Sequence, residues 1–343
     1  MSIGLRSRVL DMALISLMTI RLSFTSDREQ YLLFSLSTYN TGLQSFRRLL
    51  QGSASDSTPE LVVISLIFTL FEASQQQPTR IYSSGWAGHL AGALTLLQRQ
   101  GPARFQIDGY HAAFKKLREM TILFVLSKQE CTFLAEPEWM EVPWDVINKT
   151  RRDYLLDIAM QITTIYALLH SDPSPDDYLG IQTQHRQLLD DLHSWRQSWL
   201  EAEAPGIHNP CQGCLNEPCL CLPAITKTVT NEFSFLAAEY TAIAILLNHI
   251  TLHYLYDSAT ITDLELTSSA LRIALLRTNL QSILTLPCFG HALSDTPGLT
   301  EGRCRALFPI WVLSETAPVF TPQRTLDWDW WDGLYDRANH GIA

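Results

Sequence analysis

Hydrophobic residues recur along the chain with the spacing of α-helices, most clearly in residues 86–105. A helix there should end at Gly101, because glycine tolerates the left-handed conformation at a helix C-terminus and Pro102 cannot continue a helix. Gly88 and Gly92 are four residues apart, which predicts the close approach of another helix to that side. The apolar residues that mark one face of this helix are Trp86, Leu90, Ala93, Leu94 and Leu97.

The same periodicity predicts helices in most of the remaining sequence. Residues 61–73 are hydrophobic on nearly all sides, which is typical of a helix deep in a core, and Thr58 before Pro59 is a helix-start signal. Their β-branched residues would also suit a strand, but the length of the stretch favours a helix. The other helical patterns cover residues 5–24, 29–50, 110–128, 151–169, 178–200, 225–257, 263–286, 303–315 and 326–339.

These patterns predict an all-α protein, a multi-helix bundle of about ten or more helices. Period-two alternation with hairpin turns is absent from the sequence. Residues 132–145 contain two prolines and two tryptophans, which predict an ordered turn held by aromatic packing. We expect a single helical domain over residues 1–343, with a cysteine-containing loop at 204–223. The apolar content of 46% is sufficient for a large core.

The charge distribution argues against direct DNA binding. The net charge is -10, and the lysines and arginines are scattered singly or in pairs. A duplex-binding surface needs clustered positive charge, because it must displace the counterions of the phosphates. We therefore expect no direct DNA contact from this chain.

The hydrophobic runs do not predict a targeting signal or a membrane span. Residues 10–24 are apolar, but Asp11 and Arg21 interrupt them and no cleavage site follows cleanly. The run 61–71 is far shorter than the roughly 20 residues that cross a bilayer. We expect a soluble, intracellular protein that is not secreted and has no membrane segment.

Four of the seven cysteines lie within eleven residues, with the spacing C-x2-C-x4-C-x-C. Their thiolates are candidate ligands of a structural zinc ion, because soft sulfur ligands suit its tetrahedral geometry. A catalytic zinc is not expected, since four sulfur ligands leave no open position. A loop of unmetallated cysteines is the alternative that the spacing leaves open. The four residues are Cys211, Cys214, Cys219 and Cys221.

The remaining polar groupings predict structural roles. We interpret His89, the one chemical candidate in residues 86–105, as a structural polar residue. His249, His253 and Asp257 are spaced by four on one predicted helix, but the pattern lacks the glutamate of a metalloprotease and fits a polar stripe. Nucleophile-elbow, P-loop and dinucleotide-binding motifs are absent from the sequence.

Two acidic segments also attract attention. Glu136, Glu138 and Glu141 flank Pro137, and we expect them on the surface without an acid–base role. Acidic and aromatic residues alternate near the C-terminus, which favours an amphipathic helix whose tryptophans dock, with an activation segment as the alternative. These residues are Asp327, Trp328, Asp329, Trp330, Trp331, Asp332, Tyr335 and Asp336.

Several segments together resemble the regulatory domain of fungal-specific transcription factors, a helical middle homology region that follows a zinc-binuclear-cluster DNA-binding module. The resemblance runs nearly end to end and in order, although each motif is loose and mainly marks packing. The segments are SLSTYNTGLQSFRRLL (35–50), LIFTLFEAS (66–74), GWAGHLAGALTLLQRQGPARF (85–105), FLAEPEWMEVPW (133–144), RCRALFPIWVLSE (303–315) and W-x-x-L-Y-x-x-A-x-x-G-I-A (331–343).

The resemblance implies a non-catalytic, nuclear transcription regulator, but one departure limits it. Members of the family bind DNA through a module of six cysteines among basic residues, whereas the first cysteine here is Cys131. DNA binding therefore does not carry over, and an upstream exon for that module is one explanation.

The implied partners are other transcription regulators or co-regulators, in a homo- or heterodimer that controls a fungal metabolic or secondary-metabolite pathway. The alternative is a helical small-molecule-binding protein or enzyme repurposed from this domain, since helical bundles readily enclose apolar pockets. Without the resemblance, a cytoplasmic location would be expected.

The cysteine cluster leads to a direct test. If the four thiolates close a structural site, protein purified with metal supplied should carry about one zinc ion per chain. Elemental analysis measures this ratio, and a metal-free protein under those conditions would remove the zinc hypothesis.

Overall fold

The computed structural model describes eleven stretches and positions of the chain, and every structural statement below concerns these residues. They are residues 3–23, 28–51, 59–75, 84–171, 173–203, 231–253, 263–284, 286, 305, 308–313 and 316. Within them the secondary structure is helical and contains no strand, so the all-α prediction is confirmed.

The helix bounds agree with the predicted ranges to within a few residues wherever both can be compared. Short 3-10 helices cover Pro102–Phe105, Phe133–Ala135 and Val142–Trp144, and residues 308–313 are also helical. The predicted helix 326–339 lies outside the described residues. The α-helices are α1 (Ile3–Leu22), α2 (Arg28–Gln51), α3 (Pro59–Gln75), α4 (Ser84–Gln100), α5 (Asp108–Lys128), α6 (Pro137–Glu141), α7 (Arg151–His170), α8 (Pro175–Glu203), α9 (Asn231–His253) and α10 (Asp263–Leu284).

The chain divides into two compact units, and α5 contributes to both. The first unit comprises Met1–Thr121, Glu136–Asn148 and Asp295–Thr300. The second comprises Ile122–Ala135, Lys149–Ser294 and Glu301–Ala343. The single domain over 1–343 stays a prediction, because compactness of each unit does not test it.

Helix α3 is the centre of the first unit. It packs against α1 and α4, and α1 in turn packs against α2. Ile64, Phe68 and Phe71 of α3 are completely buried. The interpretation of this segment as a helix deep in the core is confirmed. Because α3 has no polar side, other helices cover it.

Helix α4 ends where the sequence predicts. Its last residue is Gln100, and Gly101 has φ 75°, in the left-handed region that favours glycine. The prediction of a close approach at Gly88 is wrong, because a Cβ there would meet no atom within 4 Å. At Gly92 a Cβ would lie 3.8 Å from Ser65 Oγ, which is ordinary contact. The tight glycine of this helix is Gly85 instead.

The segment around α6 is held by aromatic packing, as predicted. Trp139 is 2% exposed, and its ring lies 6.2 Å from that of Phe114 and 6.5 Å from that of Phe105. The buried guanidinium of Arg118 lies 5.4 Å from the centre of the Trp144 ring, a cation–π contact. One ring within the short helix and one just after it therefore pack against α5 and its surroundings.

Helix α9 is the centre of the second unit, where it packs against α7, α8 and α10. It is long and apolar enough to cross a membrane, and this is true of no other helix within the described residues. However, 78% of that hydrophobic window is buried inside the protein. Its apolar surface is thus already covered by protein, as in the core helix of a soluble domain.

Trp86 tests the role of α4 in the core. Its side chain is 3% exposed, so Trp86→Ala should lower the free energy of unfolding by roughly 3–5 kcal/mol through lost contacts and a residual cavity. Denaturant unfolding measures the change, with Ile107→Ala at a 65% exposed position as the control. Equal stability of the two variants would contradict the packing role.

Candidate functional site

A hydrogen-bonded cluster of three polar side chains joins α2, α3 and α4 in the first unit. The hydroxyl of Tyr39 on α2 donates to the carboxylate of Glu72 on α3. The same oxygen lies 2.9 Å from Nε2 of His89 on α4, which acts as the donor when this nitrogen carries the proton. One phenol oxygen therefore connects three helices.

Packing holds each member of this Tyr39 cluster in place. The Tyr39 ring stacks on Phe71 with a centroid distance of 4.1 Å, and its edge meets Phe68 at 5.5 Å. Gly85 provides the space for the carboxylate of Glu72, because a Cβ at that position would lie 2.7 Å from it. A side chain at position 85 would therefore force the Glu72 carboxylate to move away from this position.

The electrostatics of the cluster favour a static hydrogen-bonded arrangement. Burial, together with the hydrogen bond to Glu72, raises the pKa of Tyr39 well above its usual range, so the phenol keeps its proton. Burial lowers the pKa of His89, although the nearby Glu72 carboxylate opposes this. At neutral pH the phenol acts as a donor and the imidazole is neutral. This arrangement gives His89 a structural role, because its ring nitrogen is committed to Tyr39.

A second cluster, the Glu239 cluster, lies in the second unit and consists of ion pairs around the buried carboxylate of Glu239. Arg152 on α7 donates to Glu239 on α9 through Nε at 3.0 Å and through one terminal nitrogen at 2.7 Å. Arg305 also donates to Glu239 through Nε at 3.2 Å, and to Glu232 at 2.5 Å. The guanidinium of Arg305 lies 4.8 Å from the ring centre of Phe235.

These pairs fix helices to one another. Glu239 and Arg305 are 2% and 4% exposed, so their charges are removed from water and depend on each other. Burial lowers the pKa of Arg305, but the Glu239 and Glu232 carboxylates together more than offset this, and the net shift of the pKa is upward. Removing one partner would leave an uncompensated buried charge, which is costly. The cluster therefore connects α7, α9 and Arg305, which is a structural role.

The third feature is a set of exposed apolar side chains on the outer side of α1 and the start of α2. Their exposed fractions run from 41% at Leu14 to 67% at Met18. The opposite side of α1 carries the buried residues Val9, Ala13 and Ile20. We call this surface the outer apolar face; it consists of Leu14, Ile15, Met18, Leu22, Leu33 and Phe34.

The candidate residues from the sequence are not brought together by the described structure. Cys211, Cys214, Cys219 and Cys221, together with Asp257 and the acidic–aromatic C-terminal residues, lie outside it. His249 and His253 lie on α9, and His249 is half-buried. Within the described residues, no group of three or more histidine, cysteine or acidic side chains is placed to hold a metal ion. Residues Glu136, Glu138 and Glu141 are exposed around α6.

Both polar clusters were missed from the sequence. A usable signal was present for the second: Glu239 is a single acidic residue in the long apolar run of α9, and such a residue needs a cation when buried. For Tyr39 and Glu72 the sequence offers no comparable signal, because both positions also fit ordinary helix faces.

The chain has a partial similarity to a fungal protein. No protein-family model matches the chain, and no solved structure matches it. A protein of the fungus Emericella nidulans that is described only as uncharacterized is 28% identical over 114 residues. The similarity covers 33% of this chain and 23% of the relative, so the aligned region is less than a quarter of the relative's length.

Tyr39→Phe should separate the contribution of the cluster's hydrogen bonds to stability from the contribution of its ring packing. The variant keeps the ring but removes the oxygen shared by Glu72 and His89, so the free energy of unfolding should fall by about 1–3 kcal/mol. Denaturant unfolding measures the loss. Tyr31→Phe, on the same helix and outside the cluster, is the matched control; an equal effect at both positions would show that the hydrogen bonds of the Tyr39 cluster do not stabilise the fold.

Proposed function

We propose that this chain is a non-catalytic regulator of transcription that resembles the regulatory domain of fungal zinc-cluster transcription factors. In this proposal it works through protein contacts in the control of a fungal metabolic or secondary-metabolite pathway. Its partners are other transcription regulators or co-regulators, and it acts in the nucleus. It does not bind DNA itself, and any zinc at the cysteine cluster has a structural role.

The order of motifs along the chain supports the proposal. Six loose motifs of that family follow one another from residue 35 to residue 343. The all-helical fold agrees with the helical nature of that domain, although fold alone does not fix function. The similarity to a fungal protein adds support for a fungal lineage but carries no functional information.

The outer apolar face is the observation that carries the protein-contact part of the proposal. Single exposed apolar residues are common on soluble proteins, but contiguous sets of large ones mark interaction surfaces. Here four exposed large apolar residues lie along one side of α1, and two more lie near the start of α2, which packs against α1. By contrast, the Tyr39 cluster and the Glu239 cluster make their hydrogen bonds within the protein.

The proposal can be tested with a matched pair of surface variants. Met18 and Leu179 are 67% and 66% exposed, on the outer apolar face and on α8 of the second unit. A glutamate at either position should leave the fold intact, but only Met18→Glu places a charge within the proposed contact surface. Leu179→Glu is therefore the control for a general effect of added negative charge.

Two readouts decide the outcome. The tagged chain should recover known transcription regulators or co-regulators from nuclear extract of its own organism, and Met18→Glu should lower that recovery by at least about fivefold, equivalent to 1 kcal/mol. Fused to a heterologous DNA-binding module, the chain should change expression of a reporter gene, and Met18→Glu should weaken the change. No regulator recovered and no reporter response would contradict the proposal.

A further inference from the structure

We propose that Ser174 is a phosphorylation site, modified by a serine kinase that recognises a proline directly after its target. The phosphate donor is ATP. This inference goes beyond the proposed function, because it concerns how the chain is controlled and not what it contacts.

The sequence around Ser174 distinguishes it from the other serines of the chain. It is the only serine in the sequence that a proline follows directly, and Asp176 and Asp177 come next. Kinases choose among hydroxyl groups partly by the residues that flank them. Three threonines also precede a proline, but they lie outside the described residues; they are Thr58, Thr296 and Thr321.

The hydroxyl group of Ser174 is accessible to a modifying enzyme. Helix α7 ends at His170 and α8 begins at Pro175, so Ser174 lies in the connection between two helices. Ser174 and the three residues after it are all exposed. The ring of Pro175 keeps the preceding residue out of the helical region and in extended conformations. The target hydroxyl therefore lies on exposed, extended backbone, where a kinase can reach it without opening a core.

Exposed hydrogen bonds hold this hydroxyl group in place. It donates to the Asp177 carboxylate at 2.6 Å, and it accepts from the Asp177 backbone N–H at 3.3 Å. The backbone N–H of Ser174 also donates to this carboxylate, at 3.0 Å. These reciprocal bonds cap the first turn of α8. Because both residues are exposed, water can replace the bonds of the hydroxyl when a kinase binds, so they do not prevent the reaction.

The reaction is a phosphoryl transfer from ATP to Oγ of Ser174. The bond between the γ-phosphorus and its bridging oxygen breaks, and a bond between that phosphorus and Oγ forms. ADP leaves with the bridging oxygen, and the hydroxyl proton passes to the catalytic base of the kinase. The chain itself contributes only the hydroxyl group and the residues by which the kinase recognises it.

The fold tolerates the phosphorylated product. A phosphate adds a charge of about −1.5 to −2 at pH 7, which the backbone N–H groups at the start of a helix attract. Asp176 and Asp177 repel this charge, but both are exposed, so water and salt weaken the repulsion. Phosphorylation therefore changes the surface charge of the second unit and leaves α8 folded.

Thr150 provides a matched internal control. It caps α7 by the same reciprocal bonds, because its side chain accepts from the Asp153 backbone and the Asp153 side chain accepts from its own backbone. However, Arg151 follows it in place of a proline, and Asp153 is only 1% exposed. A phosphate on Thr150 would lie against a buried carboxylate, which is costly. We expect Thr150 to stay unmodified.

The first test uses the purified full chain, a purified proline-directed serine kinase and magnesium ATP. Mass spectrometry should locate phosphate at Ser174 and none at Thr150. Pro175→Ala keeps the hydroxyl group but should lower the rate of its phosphorylation at least about tenfold. Asp177→Asn keeps the proline and should leave the rate within about threefold of the original value. An unchanged rate for Pro175→Ala, or an equal modification of Thr150, would contradict recognition through the proline.

The second test needs no variant. The tagged chain, isolated from its own organism with phosphatases inhibited, should carry phosphate at Ser174, which mass spectrometry of the peptide detects. Phosphorylation should leave the melting temperature of the full chain within about 3 °C of the original value, because the change is confined to the surface. A chain that carries no phosphate at Ser174 in its own organism overturns the proposal, even if the purified kinase modifies it.

Discussion

A helix that is apolar on all sides must be surrounded by other protein, and two such helices organise this molecule. Helix α3 in the first unit has completely buried residues around its circumference, including Val62 and Ile64 on roughly opposite sides. Helix α9 in the second unit is buried along most of its length. Because burial of apolar surface is the dominant favourable term in folding, the amphipathic helices of each unit are arranged by the need to cover these two.

The same constraint explains why the few polar groups near these helices are paired. Glu72 lies near the end of α3 and Glu239 in the middle of α9, and each carboxylate is held by side chains from other helices. A carboxylate that is buried without partners would cost several kcal/mol. The polar clusters therefore specify how the neighbouring helices are placed, in addition to the apolar contacts that hold them.

Periodicity was sufficient to predict the helices and their approximate ends, because it depends on local sequence. The stop at Gly101 and the packed aromatic turn around Trp139 were recognised in this way. Contacts between residues that are far apart in sequence could not be predicted. Tyr39 and His89 are 50 positions apart, and neither residue type indicates its partner. The tight glycine is likewise Gly85 and not Gly88, because only the packed α3 determines which position lies against the Glu72 carboxylate.

The Glu239 cluster has a consequence for how the chain is divided into fragments. Arg152 and Arg305 are 87 and 66 positions away from the carboxylate that they share, so the cluster is complete only when chain from both sides of α9 is present. A fragment that stops before residue 305 would keep Glu239 with a single guanidinium and would expose the side of Phe235 that Arg305 covers. The natural boundary of the second unit thus lies beyond Arg305. A shorter expression fragment would lack one of the two guanidinium groups that compensate the buried Glu239 carboxylate.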